Sequence, residues 1–440
     1  MAELEPLYTA EEMRAAEADH DVDAMMQRAG AAVAEELMRR FPDARRIALY
    51  AGDGANGGDG RIAADILEAQ GRELVDDRPH VVIDSLLGTG LKGSPRDEAS
   101  RLIDEINAGD APVLAVDIPS GVNASTGEVA GVAVQADVTV TMHGPKVGLA
   151  VAPGRFHAGE VAVADIGLEP AETEHRLVTE EILDRVPAKT GRDTKYTSGS
   201  VLVAGGSRGT TGAAALAARA AFRADAGYVA IAAPADSLPV LETLVLEAVK
   251  RPLDQVFEAS ERATALAIGL GLGRGEEARA LVRRLLTETD VPAVVDADAL
   301  FELEPFERQA PTVLTPHSGE LGRLLGEESS WVDAHRLEAL RRAVERFGCV
   351  VLLKGADTLV GAPGEGVLVR ETNTPGLATA GSGDVLTGIV AAFLSKGLDA
   401  RLAAAAAAAA QALAASLAGK TRGLVASDVI EAMPSALARD

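Results

Sequence analysis

Asn373-Thr-Pro-Gly-Leu-Ala-Thr-Ala-Gly-Ser-Gly-Asp-Val-Leu-Thr-Gly388 places glycines, a serine and one carboxylate at the head of a strongly apolar helix. Gly381, Ser382 and Gly383 let an anion approach the unpaired amides of the first helical turn, where the helix dipole also favours negative charge. Asp384 follows at once. A carboxylate beside a bound phosphate can take the proton of a hydroxyl as that hydroxyl attacks phosphorus. The plainer alternative is a capped helix with a tight glycine turn, and one short motif does not separate the two.

Outward from that stretch, apolar strand-like runs end repeatedly in glycine or aspartate and lead into helical periodicity, which is the rhythm of an α/β fold. Two such series are present. The first has a helical segment from Met13 to Arg40 and strands at Arg46–Tyr50, Val81–Ile83, Val113–Val116, Asp137–Thr141 and Glu160–Ala164. A polar stretch from Glu169 to Tyr196 reads as a linker with a short helix from Thr179. The second has strands at Ser200–Val203, Tyr228–Ala232, Ala265–Ile268, Ala293–Val295, Thr312–Leu314 and Val350–Leu353. Ligands of doubly wound sheets sit at the C-terminal ends of the strands, and the motifs fall there.

Composition fits this organisation. A chain of 440 residues is too long for one ordinary domain. With 3% aromatic residues, the cores must be packed with Ala, Val, Leu and Ile. The net charge of −24 argues against nucleic-acid and anionic membrane partners. The one cysteine, Cys349, excludes an internal disulfide and reads as a buried strand residue. The start shows no secretory pattern, and the Ala403–Ala410 run is too short to span a bilayer, so a soluble cytoplasmic protein is expected.

The strand ends of the second series carry Gly205-Gly-Ser-Arg-Gly-Thr-Thr-Gly-Ala-Ala214, Gly269-Leu-Gly-Leu-Gly273, Asp296-Ala-Asp298, Leu314-Thr-Pro-His-Ser-Gly-Glu320 and Leu353-Lys-Gly-Ala356. In this order, with the Gly381 helix start, they resemble the ribokinase-like fold, and in particular the ADP- or ATP-dependent dehydratases that repair hydrated nicotinamide nucleotides, NAD(P)HX. The first series carries Asn56-Gly-Gly-Asp-Gly60, Asp84-Ser-Leu-Leu-Gly-Thr-Gly-Leu-Lys-Gly93 and Asp117-Ile-Pro-Ser-Gly121, which resemble the Rossmann-like NAD(P)HX epimerase domain. The resemblance therefore implies an epimerase domain over residues 1–168, an entry segment over 169–195 and a dehydratase domain over 196–440. Each would be a three-layer α/β unit.

The resemblance also implies site residues. For the dehydratase, Ala213, Gly271, His317 and Asp384 would face the hydrated nucleotide, with Asp384 as base. Lys354, Gly355, Ala356, Asp357, Thr358 and Gly383 would hold ADP or ATP, and Asp296 and Glu320 would hold Mg²⁺ through water. For the epimerase, Asn56, Asp59, Gly88, Thr89, Gly90, Lys92, Gly93 and Asp117 would meet the substrate, with Asp117 exchanging protons. Asn56, Asp84 and Ser120 would coordinate K⁺, all three being oxygen donors as a hard cation requires.

The sequence departs from the epimerase pattern in two places. Ala55 stands where asparagine is usual, and only about two dozen residues join Gly60 to Asp84, where an extra strand and helix are usual. The expectation is a shortened sheet with one unit fewer and part of the nucleotide wall removed, and hence slow epimerisation. Two other readings stay open here. One is a ribokinase-like small-molecule kinase, which would leave a stable phosphoester; the other is a non-catalytic nucleotide-binding N-terminal module. A homo-oligomer is expected, since symmetric assemblies are common.

Overall fold

The computed structural model describes residues 4–372 and 374–438; Asn373, the first residue of the stretch quoted above, lies outside them. The chain divides into two compact units, one from Pro6–Arg176 with Asp333–Glu338, the other mainly from Leu177–Val332 and from Ala339 onward.

The first unit is built on a sheet whose strands lie in the order Glu73–Leu74, Arg46–Ala51, Val81–Ser85, Val113–Val116, Val138–Met142 and Glu160–Ala164. Every neighbouring pair is parallel. The three central strands are buried at every position, as a parallel sheet covered on both faces requires. The helical segment from Met13 is in fact two helices. Thr9 and Glu12 form a capping box at the head of Ala10–Glu17, and Asp21 caps Val22–Arg40.

The short connection keeps more than the sequence suggests. The additional strand survives as Glu73–Leu74, pairing with Arg46 and Ile47, and the chain then passes to Val81 without a helix. The sheet still runs through six strands.

In the second unit the strands follow the order Val249–Pro252, Tyr228–Ala233, Ser200–Ala204, Ala265–Ile268, Ala293–Val295, Thr312–Leu314, Val350–Leu353, Asp357–Gly361 and Leu368–Glu371. The first seven are parallel to one another, and each of the last two pairs antiparallel with the strand before it. Lys354 to Ala356 thus form the turn of a hairpin, and Asp357 and Thr358 are strand residues. Cys349 lies in the turn just before Val350, half-buried, and burial pushes its thiol up to about 12, so it stays unreactive.

The core of this unit is packed with alanine. The helix Ala400–Leu417 is long and apolar enough to cross a membrane, yet most of it lies in that core. The helix Ser382–Ser395 packs on Thr211–Arg223 at very short range: a Cβ on Gly388 would stand 2.3 Å from the Ala217 carbonyl oxygen. Only glycine fits there. This backbone-to-backbone approach holds the head of the Ser382 helix beside the start of the Thr211 helix, where the sequence motifs meet.

Candidate active sites

In the second unit the motif residues converge at the strand ends. Asp296 follows Ala293–Val295 and is almost wholly buried. The Lys354 ammonium donates to its Oδ1 at 2.8 Å, and the Thr387 hydroxyl donates to its Oδ2 at 2.7 Å. Gly383 lies over this pair, and a Cβ there would sit 3.3 Å from Lys354 Nζ. Burial disfavours the lysine's charge, but Asp296, Glu320 and Asp384 outweigh it and hold Lys354 above its ordinary value. Asp384 shows the opposite balance. Burial and the charges of Asp296, Asp298 and Glu320 push it up to about 6, against the lowering pull of Lys354.

Around this centre the turns interlock. Gly381 heads the helix with φ +86°, a conformation that favours glycine. Gly271 has φ +67°, and a Cβ there would meet Thr210 at 2.6 Å. Thr210 donates to the Gly271 carbonyl at 3.0 Å and its own carbonyl accepts from the Ala213 amide at 3.1 Å, tying these two predicted residues together. His317 caps the helix Ser318–Leu325: its Nδ1 accepts from the Gly319 amide at 3.0 Å, while Glu320 accepts from the His317 amide at 2.9 Å. The ring is exposed, and its Nε2 stands 3.4 Å from Glu320 Oε1. Gly355 and Ala356 are exposed in the hairpin turn, whereas Asp357 and Thr358 are buried in the sheet.

The first unit opens a cleft of about 810 Å³ at its strand ends. Asn56, Asp59, Gly88, Thr89, Gly90, Lys92 and Asp117 line it, together with Glu17 and Met142, while Gly93 is outside the lining. None of the described lining residues comes from 61–80. The glycine motif is also partly structural. A Cβ on Gly57 would stand 1.9 Å from the Gly52 carbonyl and one on Gly60 2.1 Å from Ser85 Oγ, whereas Gly54 meets open space.

Behind the cleft, Asp84 is fully buried and accepts from the Ser120 hydroxyl at 2.6 Å and the Ser120 amide at 2.8 Å. Burial pushes Asp84 up to about 6, although those bonds pull the other way. Asn56 Nδ2 donates to the Leu87 carbonyl at 3.0 Å, and Ser120 Oγ accepts from the Leu87 amide at 2.9 Å, so the three predicted ion ligands meet around Leu87. Asn56 Oδ1 is buried with no hydrogen-bond partner among the described residues. An oxygen left in that state fits a cation.

Asp117 stands at the end of Val113–Val116 with φ +66°. Its Oδ1 accepts from the Met142 amide at 3.0 Å, from Thr141 Oγ1 at 3.3 Å and from the ammonium of Lys146, which is 1% exposed. Sequence reading missed Lys146 and Glu17 here, and Thr387 in the second unit. Thr387 was findable, since it lies three residues after Asp384 on the same helix face; Lys146 stands four residues beyond a strand, behind Gly144-Pro145, where no spacing rule points to it.

A ribokinase-like unit preceded by a Rossmann-like unit is the class that this fold defines. The family described as NAD(P)H-hydrate dehydratase matches residues 201–435, and that described as YjeF-related protein N-terminus matches 22–76 and 68–148, two pieces that meet at the short connection. The bifunctional NAD(P)H-hydrate repair enzyme of Moorella thermoacetica is 35% identical over 94% of this chain and 92% of its own length, and that of Salinibacter ruber is 38% identical over 82% and 72%. The Moorella alignment spans 486 positions, more than the 440 residues present here, so that relative carries stretches without a counterpart. Among solved structures, an ADP/ATP-dependent NAD(P)H-hydrate dehydratase from Bacillus subtilis, co-crystallised with ATP and Mg²⁺, is 28% identical, covers 59% of this chain and 96% of its own, and superposes with a TM-score of 0.55. The chain belongs to the bifunctional NAD(P)H-hydrate repair enzyme family.

Proposed function

We propose that residues 196–440 dehydrate hydrated NADH and NADPH at the expense of ADP or ATP, and that residues 1–168 interconvert the R and S epimers of the same hydrates. The observation that carries the first activity is the placement of Asp384, a carboxyl held near neutrality at a helix head, directly beside the Lys354–Asp296 pair. Hydroxide is a poor leaving group. Moving a phosphoryl group from the nucleotide to the ring hydroxyl makes a good one: Asp384 takes the hydroxyl proton, the amides of Gly381 to Gly383 bind the transferring charge, and phosphate then departs with the C–O electron pair while the adjacent ring carbon gives up a proton to solvent and its C–H pair becomes the restored double bond.

The remaining residues bind and orient. Gly271, Ala213 and His317 form the substrate side, and Lys354 and Gly383 the nucleotide side, with the turn at Gly355 and Ala356 next to them. Asp357 and Thr358 support that turn from within the sheet. Mg²⁺ fits this corner because the anion of Asp384 is opposed by Asp296, Asp298 and Glu320, and Asp296 and Glu320 would hold the ion through water. When bound, it neutralises charge on the phosphates. In the first unit, K⁺ fits Asn56, Asp84 and Ser120, on the evidence of the unpartnered Asn56 oxygen, and would steady the Leu86–Gly90 loop.

The test is to incubate the purified chain with mixed NADHX epimers, Mg²⁺ and either ADP or ATP. Return of NADH absorbance with one phosphate released per NADH is expected. A stable phosphoester in place of NADH would show a small-molecule kinase instead.

A further inference from the structure

Two carboxyl groups in the first unit's cleft live in opposite surroundings. Asp117 is well supported: a fully buried ammonium, an amide and a hydroxyl all donate to its Oδ1. Asp59 has no such support. It is 9% exposed, its Oδ1 is buried without a hydrogen-bond partner among the described residues, and burial together with the charges of Asp117 and Glu17 pushes it up to about 7. The other charged groups lining the cleft are Arg14, Asp53, Lys92 and Arg96. Paired carboxyls driven apart in this way divide the roles of acid and base.

From this geometry we infer that Asp59 is the catalytic acid of epimerisation, working with Asp117 as base, and that Lys146 is the positioning residue that holds the Asp117 carboxyl in place. The inference rests on the epimerase reading given above. Hydration of a dihydropyridine leaves the new hydroxyl on the ring carbon bonded to nitrogen, so the nitrogen lone pair can expel it once it is protonated. Asp59 gives its proton to that oxygen, the C–O bond breaks with its electron pair leaving on water, and the lone pair forms a C=N⁺ bond. Water then adds to the same carbon from the opposite face, the C=N⁺ pair returns to nitrogen, and Asp117 takes the surplus proton. Solvent returns that proton from Asp117 to Asp59. The net change is inversion at one carbon.

The experiment supplies the full chain with one pure NADHX epimer, without ADP or ATP so that dehydration is silent, and follows the other epimer by chromatography. For Asp59→Asn, kcat is expected to fall on the order of 10²-fold with KM changed less than about threefold, and Asp59→Glu should recover part of it. In ¹⁸O-water each inversion should place one label on the ring. A raised KM with kcat preserved in Asp59→Asn would make Asp59 a binding contact and overturn the inference, as would inversion without label. Should the wild-type chain give no interconversion while still dehydrating with ADP or ATP, the epimerase reading itself fails and the inference with it. If Asp59→Asn does not fold, a kcat for Asp59→Glu within threefold of wild type overturns the inference, and a loss of tenfold or more at unchanged KM supports it.

Discussion

Each unit places a lysine–aspartate pair at its strand ends, and the two pairs are used differently. In the second unit Lys354 is bonded to Asp296, a neighbour of the proposed base, and Asp384 is left to bear the repulsion of three carboxylates. In the first unit Lys146 is bonded to the proposed base itself, and the disfavoured charge falls on Asp59. A phosphoryl-transfer site needs a base that can both take and release a proton around neutrality. An epimerase needs an acid and a base at once, and pairing one carboxylate with lysine leaves its neighbour to keep the proton.

The sharpest way to break this comparison is Asp384→Asn. Dehydration should fall by on the order of 10²-fold or more, with nucleotide binding by calorimetry nearly unchanged, because asparagine keeps the size but cannot accept the proton. Turnover near normal would remove Asp384 from the chemistry.

Next in size is the pH dependence. Asp384 acts unprotonated, so with its proton leaving near pH 6 the dehydration rate should drop about tenfold per unit below that value and level off above it. Asp59 acts protonated, so epimerisation should instead decline as pH rises past about 7. Rate profiles for the two activities should therefore diverge on the alkaline side, and parallel profiles would erase the distinction between the sites.

Lys354→Ala should raise the apparent KM for ADP or ATP about tenfold, since it removes a cation and uncovers the Asp296 carboxylate in a strongly acidic protein. Added salt should not reproduce the effect, because a buried contact is little screened. Smallest is Ser120→Ala, expected to weaken the response of epimerisation to K⁺ severalfold while leaving dehydration unchanged. A K⁺ titration of both rates checks it, and an unaltered response would place the ion elsewhere.

Much of this was legible in the sequence because parallel strands announce themselves as apolar runs and their ends as glycine or aspartate. The strands ending at Ala204, Ile268, Val295 and Leu353 were read within a residue. Others were not, among them three in the second unit's sheet. Val249–Pro252 carries Lys250, Arg251 and Pro252, the composition of an edge strand, which hides the apolar signal. Asp357–Gly361 and Leu368–Glu371 form a hairpin whose first residues, Asp357 and Thr358, look like loop ligands because they are polar, although both are buried. The candidate site residues at strand ends were picked out for the same reason the strands were. Lys146 was not, because its role depends on the turn that brings it back over Asp117, and a turn's path is not a periodicity.

The contact between the Ser382 and Thr211 helices has a consequence for inheritance. Where its backbone meets that of Ala217, Gly388 has no smaller residue to move to and no room for a larger one. Gly388→Ala would cost about 1–3 kcal/mol as an overpacked core, and its effect would reach the Asp384 end of the same rigid rod. Neutral drift has almost no foothold there. New specificities in this lineage would arise at the rim, in the strand-end turns, while the rod that aims the base is passed on unchanged.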